Sequence, residues 1–468
     1  MTLKILNRSL WHYIILLIPI IFTALFTISL LFNGILLLVG AELSIMTILY
    51  VDLILVPIAT LVILNFLWKR FINVTPSASF AHEWNEGPWL HYKNDPMHSI
   101  VINWFTREKT KTEILFGPSK NEMNEIKGEL CKIHHVYIDK LEPNTKYFYK
   151  ILNFPDSNTY SFMTAPLADS PFNLVLVGDT QNGGGFGTEN WGYKYLVEGI
   201  LQNDFNLFMN MGDASDQGND IKSWHQYFKT SKPITVSHPM HIAVGNHDTG
   251  TNYLHDDSIK KYPDEGANFD YFLDYAYERP YDENQITPFK SRYFSFDYSN
   301  CRFLFIDTQN SKMAEPNNQQ WNWIKQKLLS CPENNWKIAF MHRTPIERRK
   351  DENDNWQYEK TRFGKYILPL LDEYGVDLVI CGHAHYYQNI ERISPITKKK
   401  TTYIISGGGG NEMRKNKPVS KSEVNLDGFK YFENSTHYLY IEIDDNSLKI
   451  RALYPDNSLL HEDYILKT

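Results

Sequence analysis

Asp179, Asp213, Asn246, His342, His383 and His385 each stand just beyond an apolar run, in FNLVLVGDTQ, FNLFMNMGDAS, MHIAVGNHD, WKIAFMHRTP and VDLVICGHAH. They offer carboxylate and amide oxygens and imidazole nitrogens without a thiolate, the set that Mn, Fe and Zn accept. Calcium would not select three histidines. A carboxylate such as Asp213 can bridge two ions roughly 3.5–4 Å apart, and such a pair both generates a hydroxide near neutral pH and binds phosphoryl oxygens. The chemistry is therefore phosphoester hydrolysis. One GD turn or one His after a strand is ordinary loop furniture. Five in succession, each closing an apolar strand, are not.

The elements that must bring these loops together are legible in the same pattern. An apolar strand, a polar loop and a helix-like stretch repeat after Ala165, and in an α/β sheet such loops gather at the carboxyl ends of the strands. Helices are expected near Asn190–Gln202, Asn317–Leu329 and Arg362–Tyr374, and paired strands at RYFSFDY and CRFLFID. THYLYIEID and SLKIRALYP read as a hairpin closing a second sheet. Residues Thr249 to Lys290, rich in Tyr, Asp and Glu, read as an insertion over the site. SGGGG at 406–410 lacks the Lys-Ser/Thr ending of a phosphate loop and reads as a tight turn at the floor of the metal site. KKK at 398–400 reads as a solvated hairpin tip.

The order of the motifs resembles that of the calcineurin-like metallophosphoesterases, most closely the purple acid phosphatase branch. That branch carries GDxG, GDxxY, GNH(D/E), VxxH and GHxH; here stand Gly178-Asp179-Thr180-Gln181, Gly212-Asp213-Ala214-Ser215-Asp216, Gly245-Asn246-His247-Asp248, Ala339-Phe340-Met341-His342 and Gly382-His383-Ala384-His385. The resemblance implies a four-layer α/β/β/α sandwich over about 170–468. It implies a first metal held by Asp179, Asp213 and His385, and a second held by Asp213, Asn246, His342 and His383. His247 would touch the substrate phosphate or protonate the leaving oxygen. The ions would be two divalent or trivalent transition metals, Fe, Mn or Zn.

Departures from that pattern are equally informative. The tyrosine behind the purple colour falls at position 216, which is Asp, so no purple chromophore is expected. Gln181 stands where other metallophosphoesterases place a ligand histidine, and either Gln181 or Asp216 completes the first site. No histidine occurs between His342 and His383 to act as a second substrate-facing imidazole. Arg343 is the replacement expected to bind substrate oxygens, because a guanidinium grips phosphate through two hydrogen bonds.

Between residues 76 and 166 the runs SIVINWF, TEILF, KIHHVYI, YFYKIL and YSFMT alternate as strands do and are expected to form a β-sandwich. LEPNTKYFYKI resembles the tyrosine-corner region of fibronectin type III domains, with Trp104 as a core aromatic. His134 and His135 are adjacent, so a strand points them to opposite faces and they do not share a metal. Residues 1–75 are expected to form a membrane anchor of two transmembrane helices, about 13–40 and 44–68, because the first stretch is free of charge and the second is broken only by Asp52 and Pro57. Lys4 and Arg8 before this hairpin and Lys69 and Arg70 after it would put both ends, and the catalytic domain, in the cytoplasm.

The whole chain has 468 residues, 47 basic against 54 acidic, and a net charge of -7, which excludes broad electrostatic binding to nucleic acid. Four cysteines without CxxC spacing exclude a disulfide scaffold, while a Cys301–Cys331 bridge stays open. The function expected is a membrane-anchored, dinuclear, metal-dependent phosphoesterase cleaving phosphate monoesters. The expected partners are the phosphoester substrate and, through the hairpin, the lipid bilayer; oligomeric state is not readable. The alternatives are a phosphodiesterase acting on a cyclic nucleotide or lipid headgroup, and a metal-binding membrane sensor or scaffold without catalysis.

Overall fold

Strand runs and amphipathic helices alternate through the catalytic region, and the computed structural model folds them into two sheets packed face to face. It describes residues 85–467 apart from 94, 157, 182–189, 219, 250–291, 310, 351–355 and 411–427. One sheet has six strands, ordered Leu459–Leu466, Ser447–Leu453, Tyr438–Ile443, Phe172–Val177, Leu207–Asn210 and Met240–Ile242, the last three parallel. The other has seven, ordered Phe429–Glu433, Tyr387–Ile393, Lys400–Ser406, Leu378–Cys381, Trp336–Met341, Cys301–Ile306 and Phe294–Tyr298, with four central parallel strands.

Strand alternation explains the layering. Leu174, Leu176 and Met209 of one sheet join Phe303, Phe305, Ile338 and Phe340 of the other in a single core. Val175, Val177 and Phe208 face the other way, onto helices α1 (Trp191–Ile200) and α2 (Ile221–Thr235). Leu304, Ile306 and Ala339 likewise face α3 (Gln319–Leu329) and α4 (Gly364–Glu373). The result is helix, sheet, sheet, helix. Three helices fall where the sequence places them; α2 is additional, capped by the Asp220 side chain on the Lys222 amide.

The N-terminal region differs from the expected pair of sheets. Hydrogen bonding links its five strands into one sheet, because Ile100–Ser119 pairs with Glu86–His91 along its first part and with Lys146–Ile151 along its second. Register shifts along its pairing with Glu122–Ile138 separate the two parts. The Tyr147 hydroxyl accepts the Glu142 amide at 3.0 Å, a corner contact, yet fibronectin kinship is not established by it. Trp104 is buried and stacks on His134 at 4.5 Å. The neighbouring histidines part as expected: His134 joins Thr106, Thr110 and Thr112, while His135 bonds Asn103. This sheet docks on α2 through the buried Glu86–His225 pair at 2.6 Å and the Tyr149 hydroxyl bond to the Val236 carbonyl.

Multi-pass membrane localisation is corrected. No helix among the described residues is long and apolar enough to cross a membrane. The longest helix among the described residues, α2, has 15 residues and keeps a polar face; at 1.5 Å per residue it reaches about 22 Å against a hydrocarbon core of about 30 Å. The expected spans at 13–40 and 44–68 lie outside the described residues, as does the expected insertion at 250–290, and the cytoplasmic placement that rested on those spans goes with them. All four cysteines are free thiols, so Cys301 and Cys331 are not bridged.

Candidate metal centre

Each parallel strand delivers its loop to the same end of the two sheets. The first loop is anchored by the Asp179 amide on the Gly212 carbonyl at 3.0 Å and by the Gln181 amide on the Asp213 carbonyl at 2.9 Å. Asn190, the N-cap of α1, donates its side-chain amide to the Thr180 and Gln181 carbonyls, so the helix holds the loop it follows. Gly212 has φ 93°, and a Cβ there would come within 2.7 Å of His342 Nδ1, so only glycine lets the second loop pass this close to the fourth.

The side chains converge in two groups. His342 Nε2 lies 3.1 Å from Asp213 Oδ2 and 3.2 Å from Asn246 Oδ1. His383 joins them: one ligand atom each from Asp213, His342 and His383 lie within 4.8 Å of one another. On the other side, His385 Nε2 is 3.5 Å from Asp179 Oδ1. Gln181 Nε2 is 3.4 Å from Asp213 Oδ2, whereas the Asp216 carboxylate turns toward His247, at 3.9 Å. The geometry thus brings Gln181, rather than Asp216, against the Asp213 carboxylate. Arg343 Nη1 lies 3.0 Å from His383 Nε2.

Three buried acceptor atoms fit a bound cation. Asp179 Oδ1, Gln181 Oε1 and Asp216 Oδ1 receive no hydrogen bond, and a buried acceptor left so costs about 1–3 kcal/mol. Positive charge beside them removes that cost, and the surrounding oxygens and imidazoles suit a first-row transition ion. The imidazole tautomer is set from behind: His342 Nδ1 bonds the Met211 carbonyl at 2.8 Å, which aims Nε2 at the carboxylates.

The buried groups shift one another's protonation strongly. Burial opposes ionisation of Asp213, but His342 and His247 outweigh it and hold the carboxyl far below its ordinary range. Burial opposes protonation of His342, yet Asp213 and Asp179 lift it to about 9. Burial raises Asp216 to about 6, with His247 pulling the other way.

Two side chains near the site, Thr308 and Gln309, were not legible beforehand. The strand Cys301–Ile306 ends in a sixth loop, where the Thr308 hydroxyl accepts the Arg343 amide at 2.9 Å and Gln309 reaches the Val244 carbonyl at 2.8 Å. Neither residue type signals metal chemistry. The run 406–410 lines the floor: the Gly409 amide bonds the Gly178 carbonyl, and a Cβ on Gly407 would come within 2.8 Å of Asp179 Oδ2.

His437 braces this floor from below. Its Nε2 lies 3.0 Å from Ser406 Oγ, its Nδ1 2.8 Å from the Ser435 carbonyl, and burial pushes its pKa down to about 4. The unfolded chain, titrating near 6.5, therefore binds more protons between those values, so this contribution is complete above about pH 6.5 and is lost as pH falls toward 4. The shift is worth at most roughly 3 kcal/mol. Melting curves at pH 7.5 and 4.5 are expected to show a larger loss for the wild type than for His437→Gln; equal losses would remove His437 as a source of acid sensitivity.

Comparison with known proteins agrees with this fold. Residues 172–387 match the calcineurin-like phosphoesterase family model. The chain is 23% identical over 326 residues to probable purple acid phosphatase 20 of Arabidopsis thaliana, covering 66% of this chain and 71% of that protein. It is 27% identical over 301 residues to purple acid phosphatase 21 of the same plant, spanning 62% of each. Among solved structures it is similar to purple acid phosphatase PPD1 of yellow lupin, with TM-score 0.66, 18% identity and coverage of 82% of this chain and 74% of that one. It is also similar to PhoD, with TM-score 0.59, 13% identity and coverage of 82% and 91%.

Proposed function

Because the chain carries a calcineurin-like metallophosphoesterase domain and is a hydrolase of phosphoric ester bonds, we propose that it cleaves phosphate monoesters at a dinuclear centre. In this reading Asp179, Asp213 and His385, completed by Gln181, hold one ion, and Asp213, Asn246, His342 and His383 hold the other. The observation that carries it is the approach of Asp213, His342 and His383 donor atoms to within 4.8 Å, from loops of both sheets. When bound, the ions would supply Lewis acidity toward phosphoryl oxygens and a nucleophile at neutral pH.

The chain's own groups do the rest. His247 is oriented by its Nδ1 contact with the Asp216 carbonyl at 2.8 Å and by its amide on Asp213 Oδ1 at 2.8 Å. In this reading its Nε2 gives a proton to the leaving oxygen. Burial lowers the His247 pKa, but Asp213 and Asp216 outweigh it and raise it. Arg343, beside His383, binds phosphoryl oxygens and fixes their orientation.

Elemental analysis of the purified full chain, paired with 4-nitrophenyl phosphate and bis(4-nitrophenyl) phosphate hydrolysis after Mn addition, tests this reading. Near two transition-metal ions per chain with the monoester preferred is the expected result. A preference for the diester would replace the substrate assignment, and absence of metal would overturn the centre.

A further inference from the structure

Asp248 is wholly buried, and both of its carboxylate oxygens are filled by donors from neighbouring loops. Oδ2 accepts the amides of Asp213 and Gly245, both at 2.9 Å. Oδ1 accepts the Ser215 amide at 2.9 Å and the Ser215 hydroxyl at 3.2 Å. Donors approach from the second loop and from the third, which leave the paired strands Leu207–Asn210 and Met240–Ile242. One side chain therefore fastens the loop carrying Asp213 to the loop carrying Asn246 and His247.

We propose that Asp248 is a positioning residue that sets the spacing between Asp213 and Asn246, and through that spacing the affinity of the centre for metal. The inference rests on the metal-centre reading above. With both oxygens engaged by donors, Asp248 is not itself a ligand. An apolar residue at 248 would leave backbone amides without acceptors, and Asn would set an NH2 group against an N–H. The position nevertheless keeps a buried carboxylate near Asp213, where like charge is unfavourable. A residue kept only to fill space would not need that charge.

The test uses the full chain freed of metal by chelation, with Mn binding followed by calorimetry alongside melting temperature and hydrolysis at saturating Mn. Asp248→Asn is expected to bind Mn about 10–100-fold more weakly, the range for partners that orient a ligand, with kcat at saturating Mn reduced and KM within about threefold. Asp248→Glu, which restores charge and acceptors, is expected to bind Mn more tightly than Asp248→Asn; the reverse order overturns the proposal. A lowered melting temperature with wild-type Mn affinity and kcat also overturns it, since the role would then be structural only. If Asp248→Asn does not fold, Gly245→Ala decides, because a Cβ there would stand 2.1 Å from the Asp213 amide and separate the same loops. At least a tenfold loss of Mn affinity in that variant supports the inference, and wild-type affinity refutes it. A wild type that binds no Mn sinks the metal-centre reading itself, whereas tight wild-type binding with an unchanged Asn variant sinks only the role of Asp248.

Discussion

In Asp213→Ala, metal and turnover are expected to disappear together. Asp213 is 1% exposed and engaged at both oxygens: Oδ1 receives the His247 amide, and Oδ2 lies 3.1 Å from His342 and 3.4 Å from Gln181. Removing it strips a shared ligand from both ions of the proposed pair and leaves His342 without its main ionic partner. Metal content is expected to fall below one ion per chain, and hydrolysis by about 10⁴-fold or more, since loss of the pair removes nucleophile and Lewis acid at once. Elemental analysis and a phosphate-release assay on the same folded sample check this. Full occupancy in that sample would contradict a bridging role.

His247→Ala separates catalysis from metal binding. The interaction of residue 247 with Asp213 runs through its backbone amide, which any residue keeps, so both ions are expected to stay. What is lost is the imidazole oriented by the Asp216 carbonyl. A general acid contributes about 10²–10⁴-fold, and kcat is expected to fall by that amount. The loss is expected to be larger for an alkyl phosphate, whose leaving group needs the proton, than for 4-nitrophenyl phosphate. Equal losses on the two esters would move His247 from leaving-group protonation to phosphate binding, and unchanged turnover would remove it from the mechanism.

Much of the candidate site could be read before the fold, because each candidate ligand lies in the loop after a strand, His383 and His385 sharing one. Asp179, Asp213, Asn246, His342, His383 and His385 all stand at strand ends in the two sheets. What escaped was whatever acts on backbone rather than on an ion. Asp248, Thr308 and Gln309 engage amides and carbonyls of other loops, and no residue type announces such a partner. Helix α2 was missed because Pro233 lies within it and its buried residues, among them Trp224, His225 and Phe228, mix polar with apolar types. Alternation located the N-terminal strands without showing that Ile100–Ser119 changes partners along its length, since pairing depends on distant segments. The apolar stretches before residue 71 suggested a bilayer; the described helices are short and two-faced, built to cover sheets.

Three of the candidate ligands, Asp179, Asp213 and His383, hold left-handed backbone with φ of 60°, 52° and 66°. Such a conformation costs a residue with a Cβ about 1 kcal/mol or more, and glycine adopts it freely. The polypeptide is thus under opposite pulls at the same three codons: folding favours glycine, and chemistry requires Asp, Asp and His. Selection for thermal robustness alone, with no demand for hydrolysis, would erode the centre before the sheets that carry it.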